Sequence, residues 1–182
     1  ITPSGIKTSE EDFEFDYIIY ATGFDAITGA FKKVDIRGKN GAVLKDKWAD
    51  GPRTFLGMQS AGFPNLFTIT GPTNASTFCN LPRCIEQNVE WINECIQYMQ
   101  ANNLSRIEAT TEAEDEWTAH VNETVEQTLL PETNSWFMGA NIPGKKRTFL
   151  SYSGGSPLYR ERCRSEERRV GKEWRSRWSP DH

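Results

Sequence analysis

Two apolar runs in this chain end directly in a glycine turn, and this limits the fold more than any other feature. Phe15-Asp16-Tyr17-Ile18-Ile19-Tyr20-Ala21 is rich in aromatic and β-branched residues and reads as a buried strand of about six residues. Thr22-Gly23-Phe24-Asp25 follow at once. A glycine there permits close backbone approach, and Asp25 is suited to cap the stretch after it. Leu66-Phe67-Thr68-Ile69-Thr70 reads as another strand and runs into Gly71-Pro72-Thr73-Asn74-Ala75-Ser76. Thr54 to Gly57 is a further strand candidate between the two, set among the turn signals Asn40-Gly41 and Gly51-Pro52. Strand, Gly-Pro turn, then helix is the plan of an α/β ligand site, where ligands bind beyond the strand ends.

The helix after that turn has a clear period. Ile85, Val89, Ile92, Ile96 and Met99 recur at the 3.6-residue spacing and are expected to form its buried stripe. Pro82 suits its first turn and Asn102-Asn103 its end. Ser105 to Thr110 is expected to be extended. A second helix starts with Thr111-x-x-Glu114, a capping box. The acidic run 112–116 reads as its solvated start, and Trp117, Val121, Val125 and Leu129 as its core stripe. Residues 134–147 form a Gly/Pro/Asn-rich loop carrying Trp136 and Phe137, and Thr148 to Tyr152 reads as a strand.

Composition removes several classes. A length of 182 residues suggests about one domain. No apolar run approaches the ~18 residues of a membrane span, and the start does not resemble a signal peptide. A soluble, cytoplasmic protein is therefore expected. The four cysteines are scattered and suggest neither a disulfide framework nor a metal site. A net charge of −4 argues against nucleic-acid binding. That average hides a break, because residues 164–182 hold six Lys/Arg against four Asp/Glu, leaving 15 against 21 in residues 1–163. The tail RSEERRVGKEWRSRWSPDH resembles an in-frame translation of a sequencing adapter. We treat 164–182 as an artefactual, disordered tail and exclude it from the fold.

No complete catalytic constellation stands out. The one histidine before the tail, His120, lies on the second helix and reads as a solvated or partly packed side chain. There is no G-x-G-x-x-G, no P-loop and no G-x-S-x-G. Three segments rise above a purely structural reading: Ala21-Thr22-Gly23-Phe24-Asp25, the Thr70-Gly71-Pro72 turn before the long helix, and the 134–147 loop. In that loop a Trp flanked by Ser, and then Lys145, Lys146 and Arg147, suit stacking and phosphate recognition.

Taken in order, these segments resemble the C-terminal part of a Baeyer–Villiger monooxygenase of the cyclohexanone/phenylacetone monooxygenase type. The resemblance runs from about Asp12 to Cys163. It is carried by Tyr20-Ala-Thr-Gly-Phe-Asp-Ala26, Trp48-Ala-Asp-Gly-Pro-Arg-Thr54, Ala61-Gly-Phe-Pro-Asn-Leu-Phe67 and Gly71-Pro72. Ile85-Glu-Gln-Asn-Val-Glu-Trp91, Glu114-Asp-Glu-Trp117 and Ser135-Trp-Phe-Met-Gly-Ala-Asn-Ile-Pro-Gly-Lys145 continue it. The resemblance implies an incomplete α/β fold, part of a doubly wound FAD/NAD(P)-binding flavoprotein. Residues 1–24 would end an NADPH-binding domain and residues 25–163 would belong to an FAD-binding domain.

It also implies the chemistry: FAD, NADPH and molecular oxygen convert a ketone into an ester or lactone, with no nucleic acid or membrane as partner. By match, Thr22, Gly23, Asp25, Gly71, Pro72, Asn80, Leu81, Trp136 and Lys145 would contact cofactor. Ser76, Thr77 and Phe78 would line the substrate pocket, with Phe78 narrowing it. The family's glycine motifs and catalytic arginine have no counterpart in this chain, so no catalytic residue is assigned and the chain is expected to be inactive alone. The chain is also expected to be cut short after Cys163. An N-hydroxylating or sulfoxidising flavin monooxygenase, or a non-catalytic nucleotide-binding fragment, are the alternatives.

Overall fold

A computed structural model describes residues 1–165, apart from the side chains of Ser76 and Thr77. The expectation for the tail falls, from residue 166 onward, outside the described residues. Arg164 and Ser165 lie in a helix.

The chain opens with a two-stranded antiparallel ribbon, β1 (Gly5–Lys7) and β2 (Asp12–Glu14), with Gly5 opposite Glu14. Two single-turn helices follow, α1 (Gly29–Lys32) and α2 (Leu44–Lys47). The long helices are α3 (Leu81–Ala101) and α4 (Thr111–Glu126). A last helix, α5, spans 155–165 in the described residues.

The strands expected at 15–21, 54–57, 66–70 and 148–152 do not form. The 15–21 run is instead exposed, with Tyr17 and Ile19 each almost 90% accessible, at 88% and 89%. An apolar run becomes a strand only when another strand satisfies its N–H and C=O groups. Among the described residues, none lies beside this one. At 54–59 the chain closes a tight turn, with Phe55 N–H donating to Gln59 O at 2.7 Å. Leu56 and Gly57 are both left-handed there. A Cβ on Gly57 would lie 2.6 Å from Asn74 N, so only glycine fits.

α3 has the expected bounds but a rotated face. Cys84, Asn88, Trp91 and Cys95 are buried, whereas Ile85, Val89 and Ile96 are exposed. The apolar period is real, yet Trp91 and the polar Asn88 choose the inward side. α4 is capped by Thr110, whose hydroxyl accepts from Ala113 N–H at 3.2 Å, one residue before the expected Thr111. Trp117, Val121 and Val125 are buried as expected, but Leu129 lies beyond the helix and is exposed.

The main core joins Trp91 and Cys95 of α3, Trp117, Val121 and Val125 of α4, Tyr159 and Cys163 of α5, and Phe55, Leu56 and Met58 of the turn. A smaller core forms around Leu44, Trp48 and Phe63. α5 was not legible in sequence, because Gly154-Gly155-Ser156-Pro157 looks like a turn. Its helix is held by Tyr159 and Cys163, one turn apart and both buried.

Two buried polar systems hold these pieces together. The Glu114 carboxylate, only 2% exposed, receives the Lys47 ammonium at 2.8 Å and Ala61 N–H at 2.6 Å. Burial pushes its pKa up, and Lys47 opposes that shift. The acidic run is therefore not simply solvated. Deeper in, Asn74 Nδ2 donates to the Tyr159 hydroxyl at 2.6 Å and to Asn88 Oδ1 at 3.1 Å. The Tyr159 hydroxyl donates to Leu56 O at 2.7 Å, and Asn88 Oδ1 also accepts from Thr70 N–H. Cys79 and Cys84 are joined by a disulfide, although scattered spacing suggested none. The turn before α3 brings their Cα atoms to 6.8 Å, a separation that spacing in the sequence does not reveal.

Candidate functional site

The segment after the exposed 15–21 run faces the 134–147 loop across a cavity of about 560 Å³. Thr22 and Gly23 line one side, and Asn134, Ser135, Trp136 and Asn141 the other. Gly23 is left-handed, with φ +73°, and nothing lies within 4 Å of where a Cβ would stand. Its backbone is thus open to the cavity, as a close approach to a ligand requires.

The loop is built to present Trp136. Ser135 caps the short turn Trp136–Met138 by accepting from Phe137 N–H at 3.2 Å, and Gly139 reverses the chain with φ +66°. Trp136 keeps 40% of its surface exposed and stacks on Phe137 at 3.9 Å between ring centroids. Phe137 in turn stacks on Phe78 at 5.4 Å. Asn141 Nδ2 donates to Phe24 O at 3.2 Å. Lys145 reaches the same segment, donating to Asp25 Oδ1 at 2.5 Å and Thr28 Oγ1 at 2.8 Å.

Three groups lining the cavity from its two sides face a ligand: the Thr22 hydroxyl and the Gly23 backbone from one, the Trp136 ring from the other. This combination suits an aromatic or sugar-bearing ligand of nucleotide type. Among the described residues, no group of His, Cys, Asp and Glu could hold a metal ion.

No family model matches the chain. It is 48% identical over 161 residues to cyclohexanone 1,2-monooxygenase from Acinetobacter sp, covering 88% of this chain and 29% of that protein. It is 44% identical over 160 residues to a Baeyer–Villiger monooxygenase from Pseudooceanicola batsensis, covering 87% of this chain and 29% of that one. Among solved structures, OTEMO in complex with FAD and NADP superposes with a TM-score of 0.85 at 42% identity, covering 98% of this chain and 32% of OTEMO. The chain is homologous to part of the Baeyer–Villiger monooxygenases. It spans about 30% of the length of the relatives it matches.

The remaining assigned residues of the chain lie in different settings. Asp25 faces Lys145 and Lys32 rather than the cavity. Gly71 and Pro72 are buried, and a Cβ on Gly71 would come 2.5 Å from Gly57 O. Close packing against the 54–59 turn thus already demands glycine there. Asn80 precedes α3 as its N-cap and is exposed, as are Leu81 and Phe78. Ser76 and Thr77 lie in the single turn Ala75–Phe78, and their side chains are outside those described. Lys146 reaches Asp50 at 3.4 Å. Arg147 donates to Asn134 Oδ1 and to the carbonyls of Pro131 and Thr133. The basic run Lys145-Lys146-Arg147 is thus engaged within the chain.

His120 is half-buried, with Nε2 2.8 Å from the Tyr152 hydroxyl and its ring against Trp117. Burial holds its pKa below the usual value, and the Arg162 charge adds to this. The Tyr152 hydroxyl is pushed up to about 12, chiefly by burial. Sequence reasoning missed Asn141 as an individual site residue. Its signal was its place inside the Ser135–Lys145 motif.

Proposed function

We propose that this chain is the C-terminal part of an FAD- and NADPH-dependent monooxygenase that inserts oxygen beside a ketone carbonyl to give an ester or lactone. Residues 1–24 close the NADPH-binding domain, residues 25–163 belong to the FAD-binding domain, and the protein acts in the cytoplasm. Among the described residues no helix is long and apolar enough to cross a membrane. The observation that carries the reading is the cavity between Thr22-Gly23 and Trp136, in a chain homologous to these enzymes.

The residues present fit a dinucleotide. Gly23 offers backbone with open space in front of it, and Trp136 offers a ring face and an indole N–H. Bound FAD, reduced by NADPH, supplies the oxygen chemistry that side chains lack. The chain's own residues position and shield. Thr22 and Gly23 would hold the cofactor from one side of the cavity, and Trp136 would offer its ring and indole N–H to it from the other. Lys145 and Asp25 anchor the Trp136 loop to the segment that carries Gly23. Gly71 and Pro72 set the turn before α3, at whose exposed start Asn80 and Leu81 would hold the flavin. The segment Ser76-Thr77-Phe78 would border the ketone side.

The family's glycine motifs and catalytic arginine have no counterpart in this chain, so the 182-residue chain is expected to be inactive alone. A chimera tests the reading: residues 25–163 replace the corresponding segment of the Acinetobacter cyclohexanone 1,2-monooxygenase. Flavin retention and cyclohexanone-dependent NADPH oxidation are the expected result. A folded chimera that holds no flavin overturns it.

A further inference from the structure

We propose that the Cys79–Cys84 disulfide is a thiol–disulfide exchange site, opened by a small dithiol that attacks Cys79 and expels Cys84 as a thiolate. Cys79 is half-buried and reachable from solvent, whereas Cys84 is 2% exposed. Attack therefore falls on Cys79, and Cys84 is the leaving group. Cys84 lies in the first turn of the 21-residue helix α3, whose N-terminal N–H groups favour a negative charge.

The Cys84 side also has a built surround. A cleft of about 350 Å³ between α3 and α5 is lined by Arg83, Cys84, Glu86, Glu90, Ser156 and Arg160. The Ser156 hydroxyl lies 3.8 Å from Cys84 Sγ. The bonded sulfur has no proton, so Ser156 is the donor. A helix start, two arginines and a hydroxyl donor each lower the energy of a thiolate, the Glu86 and Glu90 carboxylates oppose them, and a better leaving thiolate speeds exchange.

The step balances as follows. The dithiol sulfur bonds to Cys79 as the Cys79–Cys84 bond breaks. The second thiol of the reductant then displaces Cys79 and closes a cyclic disulfide. Two electrons reduce the protein disulfide, and the two S–H protons of the reductant end on Cys79 and Cys84.

The bond encloses Asn80 and Leu81 and ties the turn Ala75–Phe78 to α3. Opening it releases the segment next to Phe78, which stacks on Phe137 beside Trp136. That consequence for turnover rests on the proposed flavin site, whereas the exchange does not.

The test counts thiols in the 182-residue chain purified without reductant, acid-quenched, denatured and labelled with maleimide-polyethylene glycol. Two labels are expected, at the buried thiols Cys95 and Cys163, and four after treatment with dithiothreitol. Cys79→Ser should give three in both cases. Arg160→Gln, an exposed change, should slow opening of the native protein several-fold. Four labels before reductant, or an opening rate unchanged in Arg160→Gln, would overturn the proposal. No flavin or NADPH enters the assay, so a failure of the flavin reading leaves it standing.

Discussion

Lys145 and Asp25 lie 120 residues apart in sequence and meet through a single ion pair, with Lys145 almost fully buried at 7% side-chain exposure. Burial raises the Asp25 pKa, but Lys145 and Lys32 outweigh it and the net shift is downward. Asp25→Asn leaves the Lys145 ammonium without its anion and should destabilise the 134–147 loop by about 2 kcal/mol. Hydrogen exchange of that loop is the measurement, and protection unchanged from the parent would contradict the clasp. The sign of the pH dependence follows from the lowered pKa. The contribution is present above the unfolded value near ~3.9 and is lost as pH falls through the lower folded value. Asp25→Asn should remove that acid-side loss.

Glu114 anchors α4 to the loop that carries Lys47 and Ala61. Glu114→Ala leaves a partly buried ammonium and an unpaired Ala61 N–H. Urea unfolding should show a loss of about 3 kcal/mol. Its pKa is raised, so its ionisation works against folding as pH rises through the folded value. Glu114→Gln should therefore be destabilised more at acid pH, relative to the parent, than a fixed-charge partner would predict. A midpoint within error of the parent for Glu114→Ala would exclude the anchor.

Asn88 is fully buried, and its Oδ1 serves both Thr70 N–H and Asn74. Asn88→Leu should cost about 2 to 4 kcal/mol, because Thr70 N–H and the Asn74 amide lose their acceptor. Thermal unfolding reads this directly. A neutral or stabilising result would mean that the network contributes shape rather than hydrogen bonding.

The rotated face of α3 makes a paired prediction. Ile85→Lys lies on the exposed side and should change stability within about 0.5 kcal/mol. Trp91→Ala opens the core and should cost about 3 to 5 kcal/mol. Equal costs at the two positions would restore the face that periodicity alone suggests.

The segments of the candidate site could be picked out in the sequence because each is a run of adjacent residues. Thr22-Gly23, Gly71-Pro72 and Ser135 to Lys145 could be matched without knowing what they touch. The structure then brings Thr22, Gly23 and Trp136 to one cavity while leaving Asn80 and Leu81 elsewhere on the surface. It gives Gly71 a packing reason that no local pattern holds. Gly57 lies fourteen residues before it and meets it only in three dimensions.

The local signals succeeded where the interaction is local. α3 and α4 could be bounded from a 3.6-residue period, a proline and a capping residue, because helix hydrogen bonds and caps form within a few residues. Strands and helix faces depend on partners far along the chain. The 15–21 run has strand composition but no strand beside it among the described residues, so it forms no strand and most of it stays exposed. The inward side of α3 is set by Trp91 and by the Asn74–Asn88–Tyr159 network, whose members span 85 residues. The same holds for Glu114 with Lys47, Asp25 with Lys145 and Cys79 with Cys84, since a charge or a sulfur shows its partner only once the chain is folded.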